Sequence, residues 1–400
     1  MDRRSPVALV ALVALVACGS GDADAPEASP PEGSPMEGTV EDALTGFDPA
    51  RDSDGCTFLP ESSEGRSVAS RPAIALPRPV RFLDGYSNLS QATAWSVGEH
   101  WPTARDADVS FAAAARLMNV VGGKTRDAAM VKRLRSEGKI FAVHCGDYYP
   151  NRKDAEKRED PILAEVFDAT RHTDFLRAKS DYLAEKWARP FVNELDGALP
   201  GGFDAIVIDE GNSEDRDGTV SAKLFVEALR KLRVRIGNRL VLVYSTAPVA
   251  ASGRAIPPYN PGAAAYSQVL WAIDNFADLY LVEVYVKDTK AVPLSTFDAL
   301  ASNLAVRRPA LMQKTVFALG IGWDYLRYPC GYRPGETMTY PHGTPGCAPA
   351  MTMFQDELTA IRAGAASRRL SATGIGLYTF YQSDAATVAA TSALVKRYYP

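Results

Sequence analysis

Histidine is scarce in this sequence, and the residue spacings that hold transition metals are missing. Four histidines occur among 400 residues, with no His-x-His and no Cys-x-x-Cys pair. Zinc sites collect several His and Cys ligands, usually at short spacings. We therefore expect neither a metal nor any other cofactor, and a metal-dependent amidohydrolase is disfavoured among the possible enzyme classes.

A strong charge of one sign is also lacking. The formal net charge is -4 at pH 7, whereas nucleic-acid-binding domains carry a pronounced basic patch or stripe. We expect no nucleic-acid partner. Hydrophobic residues make up 46% of the chain and charged residues 23%, so its 400 residues can form one large domain or two small ones. No pattern in the sequence indicates an oligomeric state.

The apolar run at residues 7–17 is too short to cross a bilayer comfortably. It follows Arg3 and Arg4 and ends in Leu-Val-Ala-Cys-Gly, with the cysteine at position 18. A basic start, an apolar run and this ending resemble the signal peptide and lipobox of bacterial lipoproteins. The resemblance implies a signal peptide over 1–17, a lipid on Cys18 and an anchor in a membrane outside the cytoplasm. Because Gly19 replaces the aspartate that retains such proteins at the inner membrane, the outer membrane or cell surface is favoured.

Residues 18–72 are rich in Pro, Ser, Gly, Glu and Asp. They cannot bury enough apolar surface to fold, so we expect a disordered tether. Export permits disulfide bonds. Cys330 and Cys347 flank a Pro- and Gly-rich loop, and we expect a disulfide between them. Cys145 lies in an apolar strand and is expected to be a packed thiol, while the state of Cys56 stays open.

From residue 73 to residue 400 the chain alternates between strand-like and helix-like segments. Eight apolar runs have the character of buried strands, at residues 79–84, 116–121, 139–145, 203–209, 239–244, 279–285, 315–320 and 374–381. Segments with helical periodicity separate them. This alternation predicts one (β/α)8 TIM barrel. The alternative, an open doubly wound sheet, usually has a Gly-rich phosphate loop after an early strand. Gly122-Gly123 lacks the upstream glycine of a Walker loop, and we interpret it as a turn.

Side chains alternate along a strand, and the positions that face the surrounding helices must be apolar. In the fourth strand this rule assigns Ile206 and Ile208 to the helix side and Asp209 to the interior. In the eighth strand it places Tyr381 on the interior face together with Leu377. Six polar side chains are therefore predicted to converge at the carboxyl ends of the strands: Asp84, His144, Asp209, Glu283, Tyr285 and Tyr381. Four further residues are expected in the loops beyond, as substrate contacts: Tyr86, Asp147, Trp323 and Asp324.

Several acids at equivalent strand ends indicate a site, since a buried acid is costly unless it is used or paired. Two carboxyl groups at a mouth rimmed by aromatic rings suggest glycoside hydrolysis. One acid then protonates the leaving oxygen while the other carboxylate attacks or activates water. Tyrosine and tryptophan rings offer stacking platforms for sugar faces. We therefore expect a carbohydrate substrate.

The predicted barrel, with acids after its fourth and sixth strands, resembles the (β/α)8 glycoside hydrolases. By similarity to their retaining α-glycosidase clans, the resemblance implies that Asp209 is the nucleophile and Glu283 the general acid/base. Residues 203–210 also resemble the Asp-Gly-x-Asp-x-Asp-x-Glu strand of family 18 chitinases and endo-β-N-acetylglucosaminidases. Three positions depart from that pattern: Ala205, Val207 and Glu210, which comes one residue early. Glu210 is the alternative proton donor.

The function that these observations favour is a glycoside hydrolase that cleaves a polysaccharide or glycan outside the cytoplasm. The alternative is a non-catalytic glycan-binding lipoprotein of the cell envelope on a degenerate barrel. That protein would keep the aromatic side chains but would not need two carboxyl groups at a hydrolytic distance. The spacing of Asp209 and Glu283 distinguishes the two functions, because hydrolysis needs about 5–5.5 Å for retention or about 6.5–9.5 Å for inversion.

Overall fold

The computed structural model describes most of the chain after residue 67. The described residues are 68, 70, 72–85, 115–123, 128–147, 173–192, 202–209, 219–246, 250, 265–284, 294–320, 350–367, 369–378 and 385–400. All of them belong to one unit, Phe47–Pro400. The predicted signal peptide, Cys18, Cys56, Cys330 and Cys347 lie outside the described residues, and the predicted domain boundaries stay predictions.

Eight parallel strands form a closed barrel in the order β1 to β8. Their bounds are Val80–Gly85 (β1), Val120–Gly123 (β2), Ile140–Asp147 (β3), Ala205–Asp209 (β4), Leu240–Thr246 (β5), Leu279–Val284 (β6), Thr315–Gly320 (β7) and Gly374–Tyr378 (β8). The predicted (β/α)8 barrel is confirmed, and the open sheet is excluded because β8 pairs with β1. Gly122 and Gly123 belong to β2, so their interpretation as a turn is wrong.

Eight helices lie between the strands or after the last one in the described part of the chain. Their bounds are Ala128–Ser136 (α1), Thr173–Val192 (α2), Thr219–Ile236 (α3), Ala265–Phe276 (α4), Leu294–Leu300 (α5), Pro309–Met312 (α6), Ala350–Ala366 (α7) and Ala385–Tyr398 (α8). A π-helical segment, Ala301–Ala305, continues α5. None of the described helices is both long and apolar enough to cross a membrane.

The strands divide the buried side chains into an interior cluster and an outer cluster. In β4, Ala205 and Val207 belong to the interior cluster, while Ile206 and Ile208 pack with the helices. This alternation is the predicted one, and it follows from the period of two along a strand. Both faces of each strand are buried because helices surround the barrel.

Strand register sets which interior residues lie at the same height. Following the paired residues from Phe82 once around the barrel leads back to β1 eight residues nearer the N-terminus. This is the stagger of a regular (β/α)8 barrel, in which alternate strands contribute the side chains of one layer. One such layer consists of Gly122, Val207, Leu281 and Gly376.

Two glycines in that layer make room for a large aromatic side chain below them. A Cβ atom on Gly122 would lie 3.0 Å from the Phe82 ring, and one on Gly376 would lie 3.2 Å from it. The Phe82 ring therefore extends upward to Tyr244 of β5, where the ring centroids are 6.1 Å apart. Phe82 and Tyr244 are both fully buried, so they close the barrel beneath its mouth.

The amino-terminal end of the barrel is closed by the chain that precedes β1. Ile74 and Leu76 pack against the interior cluster, and Val68 packs against the outer cluster. Asp204 lies just before β4 and pairs with Arg135 of α1 at 2.7 Å. The acid therefore joins α1 to the start of β4.

Candidate active site

Glu283 is the acidic side chain that the structure describes at the carboxyl end of the barrel. It is the penultimate residue of β6 and only 5% exposed. Leu281, two residues earlier, belongs to the interior cluster, whereas Val282 and Val284 pack with the helices. Alternation therefore directs Glu283 into the barrel, as predicted. It is paired in register with Thr246 of β5 and Ala318 of β7.

Asp209 occupies a position of the same layer as Glu283. The backbone alone is described for Asp209 and also for Asp84, His144 and Asp147. Asp209 ends β4, and the stagger of one residue per strand places it level with Glu283 two strands away. The same construction through β7 places Tyr378 of β8 in this layer. The uppermost described layer thus contains two carboxylate residues and a tyrosine.

The layer directly beneath is formed by the odd-numbered strands. Its four positions are Asp84 of β1, His144 of β3, Tyr244 of β5 and Ala318 of β7. Both predicted residues of this set, Asp84 and His144, hold interior register positions. The side chains of Tyr244 and Ala318 in this layer are fully buried.

An aromatic column rises from the barrel interior into the mouth. The rings of Tyr244 and Tyr378 lie 5.6 Å apart at an interplanar angle of 60°, and the Tyr244 ring contacts Phe82 in turn. Tyr378 is half-buried and packs against the interior cluster. Edge-to-face contacts of this kind fix ring orientation, so the Tyr378 ring has a defined orientation in the layer that contains Glu283.

Sequence analysis missed both Tyr244 and Tyr378. In β5 every residue from Leu240 to Tyr244 is apolar or aromatic, so no polar residue distinguished the two faces. In β8 the predicted alternation is wrong, because Leu377 packs with the helices and the interior positions belong to Gly374, Gly376 and Tyr378. The signal in the sequence that could have identified the interior face of β8 was the pair of glycines, Gly374 and Gly376, which share that face with Tyr378.

A β-bulge in β3 changes the position of Asp147. The register with β4 pairs His144 with Val207 but Asp147 with Asp209, so β3 carries one extra residue. Asp147 was predicted in a loop, and the structure instead makes it the last residue of β3, next to Asp209. Bulges occur often beside active sites, where they redirect a strand end.

A buried hydroxyl pair connects β5 and β6 on the helix side of Glu283. The hydroxyl groups of Ser245 and Tyr280 are hydrogen-bonded to each other, and both residues are fully buried. Burial raises the pKa of the Tyr280 hydroxyl above its ordinary value, and the negative charge of Glu283 raises it further. Tyr280 therefore stays protonated and ties together the two strands that support Glu283.

The remaining predicted site residues are outside the described part of the chain. They are Glu210, Tyr86, Tyr285, Trp323, Asp324 and Tyr381. Among the described residues, no group of three or more His, Cys, Asp or Glu side chains has the geometry to hold a metal ion. The predicted roles of all these residues stay predictions.

Solved structures resemble this protein in fold, but no matching sequence was found. No protein-family model matches the chain, and no curated protein sequence does. A family GH18 chitinase from Pseudoalteromonas aurantia is similar with a TM-score of 0.45 and 10% identity, covering 72% of this chain and 96% of its own. Fungal β-1,4-galactanases give 0.44 and 10%, with 79% and 99% covered. A class V chitinase from Pseudomonas fluorescens Pf-5 gives 0.42 and 13%, with 78% and 98% covered. The barrel is established by its own strand pairing, and these likenesses say nothing about the chemistry of this chain.

Proposed function

We propose that this protein is a glycoside hydrolase in which Asp209 is the nucleophile or base and Glu283 is the general acid. The observation that supports this proposal is the buried carboxyl of Glu283 at the carboxyl end of β6, in the same barrel layer as Asp209 of β4. Active sites of (β/α)8 enzymes lie at this end of the barrel, built from the ends of several strands.

The strand geometry is compatible with the spacing that glycoside hydrolysis needs. Two strand intervals and two residue rises put the α-carbons of Asp209 and Glu283 on the order of 11 Å apart. If both side chains extend toward the axis, as alternation predicts, their carboxyl groups come within the range of about 5–9.5 Å in which glycosidase pairs are found. Retention corresponds to the lower end of that range and inversion to the upper end.

Tyr378 supplies the surface on which a sugar would lie, and the fully buried Tyr244 ring supports it from beneath. Tyr378 shares the layer of Glu283 and faces Asp209 across the barrel, since β8 and β4 are opposite strands. A sugar ring held against Tyr378 would present its anomeric carbon between the two carboxyl groups. Asp84, His144 and Asp147 hold neighbouring positions from which polar side chains could bind sugar hydroxyl groups.

The test is release of reducing sugar from a panel of bacterial and fungal polysaccharides. The variants are Asp209→Asn and Glu283→Gln, with Asp356→Asn as control, because Asp356 is an exposed acid of α7. Hydrolysis by the wild type and the control, and loss of at least about 100-fold in both site variants, would support the proposal. Full activity in Asp209→Asn would contradict the assignment. A glycan that binds but is never cleaved would favour the non-catalytic glycan-binding protein.

We further propose that the protein is exported and acylated on Cys18. Support comes from the sequence alone, from the basic start, the short apolar run and the Leu-Val-Ala-Cys ending. Labelled palmitate should be incorporated by the wild-type protein and not by Cys18→Ala, and the labelled protein should fractionate with the envelope. Equal labelling of both proteins would contradict lipidation at this cysteine.

A further inference from the structure

Basic residues are concentrated at the amino-terminal face of the barrel, which we define as the last helical turns, the loops into the strands and the chain before β1. The helices after the strands all run toward this face. Their last turns carry Arg133 and Arg135 in α1, Arg233 and Arg235 in α3, and Lys396 and Arg397 in α8. Cations at helix C-termini complement the helix dipole, which accounts for part of this concentration.

Some of these cations are internal supports. Arg135 pairs with Asp204 at 2.7 Å and Arg233 pairs with Asp278 at 2.6 Å. Lys314 donates to the backbone carbonyl of Asp274 at 2.6 Å. These three residues hold loops in place, and their contacts with the loops together with the helix dipole account for their presence at this face.

Seven other basic side chains of this face are exposed and make no hydrogen bond or ion pair within the described part of the chain. They are Arg78, Arg116, Arg133, Arg307, Arg369, Lys396 and Arg397. Among the described residues near these cations, Glu137 is an exposed acid, and the exposed Asp298 lines a cavity with Arg369. The chain as a whole has a net charge of -4, so this excess of positive charge is local.

The cations are densest where β1, β3 and α8 meet. The Arg81 guanidinium donates to the carbonyls of Leu117 at 2.9 Å and Tyr399 at 3.1 Å. The Lys139 ammonium donates to the carbonyl of Met118 at 2.7 Å. Burial lowers the pKa of Lys139, and the positive charges of Arg81 and Lys396 lower it further against the opposing effect of Glu137. These cations are close enough to repel one another, and an anion at this surface would relieve the repulsion.

Two exposed aliphatic side chains lie among these cations. Val234 is 78% exposed and Val306 is 68% exposed, and they are the large hydrophobic residues that the described part of the chain exposes. Val234 stands between Arg233 and Arg235 at the end of α3, and Val306 precedes Arg307 after the π-helical segment. Apolar side chains among basic ones are typical of surfaces that lie on a membrane interface.

The chain that leads from the predicted acylated cysteine reaches the barrel at the same face. Residues 72–79 precede β1, and Val68 packs against the outer cluster. Ala73 and Ile74 line a cavity of about 370 Å³ together with Arg233, Asp278 and Lys314. A lipid anchor at the start of this chain would bring the amino-terminal face, and not the mouth, toward the bilayer.

We propose that the amino-terminal face of the barrel binds the surface of an anionic phospholipid bilayer. The cations contact lipid headgroups, the two valines lie at the interface, and the carboxyl ends of the strands point away from the membrane. An anionic polysaccharide would satisfy the cations but would leave the exposed valines unexplained. The proposal does not depend on hydrolysis by Asp209 and Glu283.

The test uses the chain from residue 19 without acylation, which retains every described residue. Sedimentation is measured with neutral phosphatidylcholine vesicles and with vesicles containing an equal share of phosphatidylglycerol, at low and high salt. Each basic residue near an anionic surface strengthens binding about fivefold. The double variant Lys396→Glu/Arg397→Glu should therefore bind anionic vesicles at least about 25-fold more weakly.

The control Lys223→Glu reverses a cation near the start of α3, away from this face, and the losses are compared per reversed charge. It should bind like the wild type, and Val234→Ser/Val306→Ser should weaken the binding that remains at high salt. Equal losses per reversed charge in the two charge-reversal variants would overturn the proposal, because they would mean a response to net charge alone. It would also be overturned by a wild type that ignores anionic vesicles at low salt, including one that binds a soluble anionic polysaccharide instead.

Discussion

Replacing Glu357 with glutamine measures how a buried carboxyl group affects the stability of this barrel. Glu357 lies on the core-facing side of α7, beside Phe354, Leu358 and Ile361 of the outer cluster. It is 2% exposed, and its Oε1 atom makes no hydrogen bond within the described part of the chain. Burial raises the pKa of this carboxyl to about 8. The folded protein therefore keeps Glu357 protonated at neutral pH.

Whether Glu357 stabilises or destabilises the fold at a given pH follows from its pKa in the unfolded chain and its pKa in the folded chain. The unfolded chain ionises at the ordinary glutamate pKa of about 4.3, whereas the folded chain holds its proton up to about pH 8. The contribution of Glu357 to stability is therefore most favourable below about pH 4.3 and is lost as the pH rises toward 8. At about 1.4 kcal/mol per pH unit, the loss reaches roughly 4 kcal/mol by pH 7.

Urea denaturation at pH 4.5, 6, 7 and 8 measures this loss. Glutamine has the shape of glutamate but does not titrate, so Glu357→Gln gains stability relative to wild type by about 3 kcal/mol between pH 4.5 and pH 7. All other titrating groups are the same in the two proteins, so their contributions cancel when the free energies of unfolding are subtracted. Asp356→Asn, at an exposed neighbouring position of the same helix, should show no such change. A constant difference between wild type and Glu357→Gln from pH 4.5 to 8 would show that Glu357 does not titrate with a raised pKa in the folded protein.

Three further predictions concern the core, an ion pair and the predicted disulfide. Phe82→Ala should lower the free energy of unfolding by about 3–5 kcal/mol, because the ring fills the space below Gly122 and Gly376. A loss below about 1 kcal/mol in urea denaturation would contradict that packing role. Arg135→Ala should cost about 2 kcal/mol by leaving Asp204 half-buried without its ion pair, and it should cost less in an Asp204→Ala background, where only the hydrogen bond from Arg135 to the Gly202 carbonyl is lost. Cys330 and Cys347 should be joined in a single peptide pair on non-reducing mass spectrometry of exported protein, and free alkylation of both thiols would contradict the bridge.

The sequence predicts a strand best where a charged residue or a glycine marks its ends. β7 was predicted at its observed bounds, since Lys314 precedes its apolar run and Gly320 ends it. The interior face of β4 was assigned correctly because Asp209 breaks the symmetry between two apolar faces. In β5 both faces are apolar, so no polar residue showed which of them points into the barrel.

Other features depend on contacts that no local pattern reveals. β2 lies later than predicted because Gly122 packs over the Phe82 ring, and that contact joins residues 40 positions apart. The bulge in β3 aligns Asp147 with Asp209 only through pairing with β4. The buried Glu357 looks like an ordinary helix-surface acid in the sequence. In each case the tertiary neighbour, not the local residue pattern, decides the structure.

The most direct test of the proposed roles of Asp209 and Glu283 is hydrolysis of two aryl glycosides of the sugar that the polysaccharide panel identifies. One carries a good leaving group that departs without a proton, and the other carries a poor leaving group that needs one. We expect Glu283→Gln to lose far more activity on the poor leaving group and Asp209→Asn to lose activity on both, since only the acid step depends on leaving-group protonation. Equal losses in Glu283→Gln on both substrates, or wild-type rates in either variant, would contradict these roles.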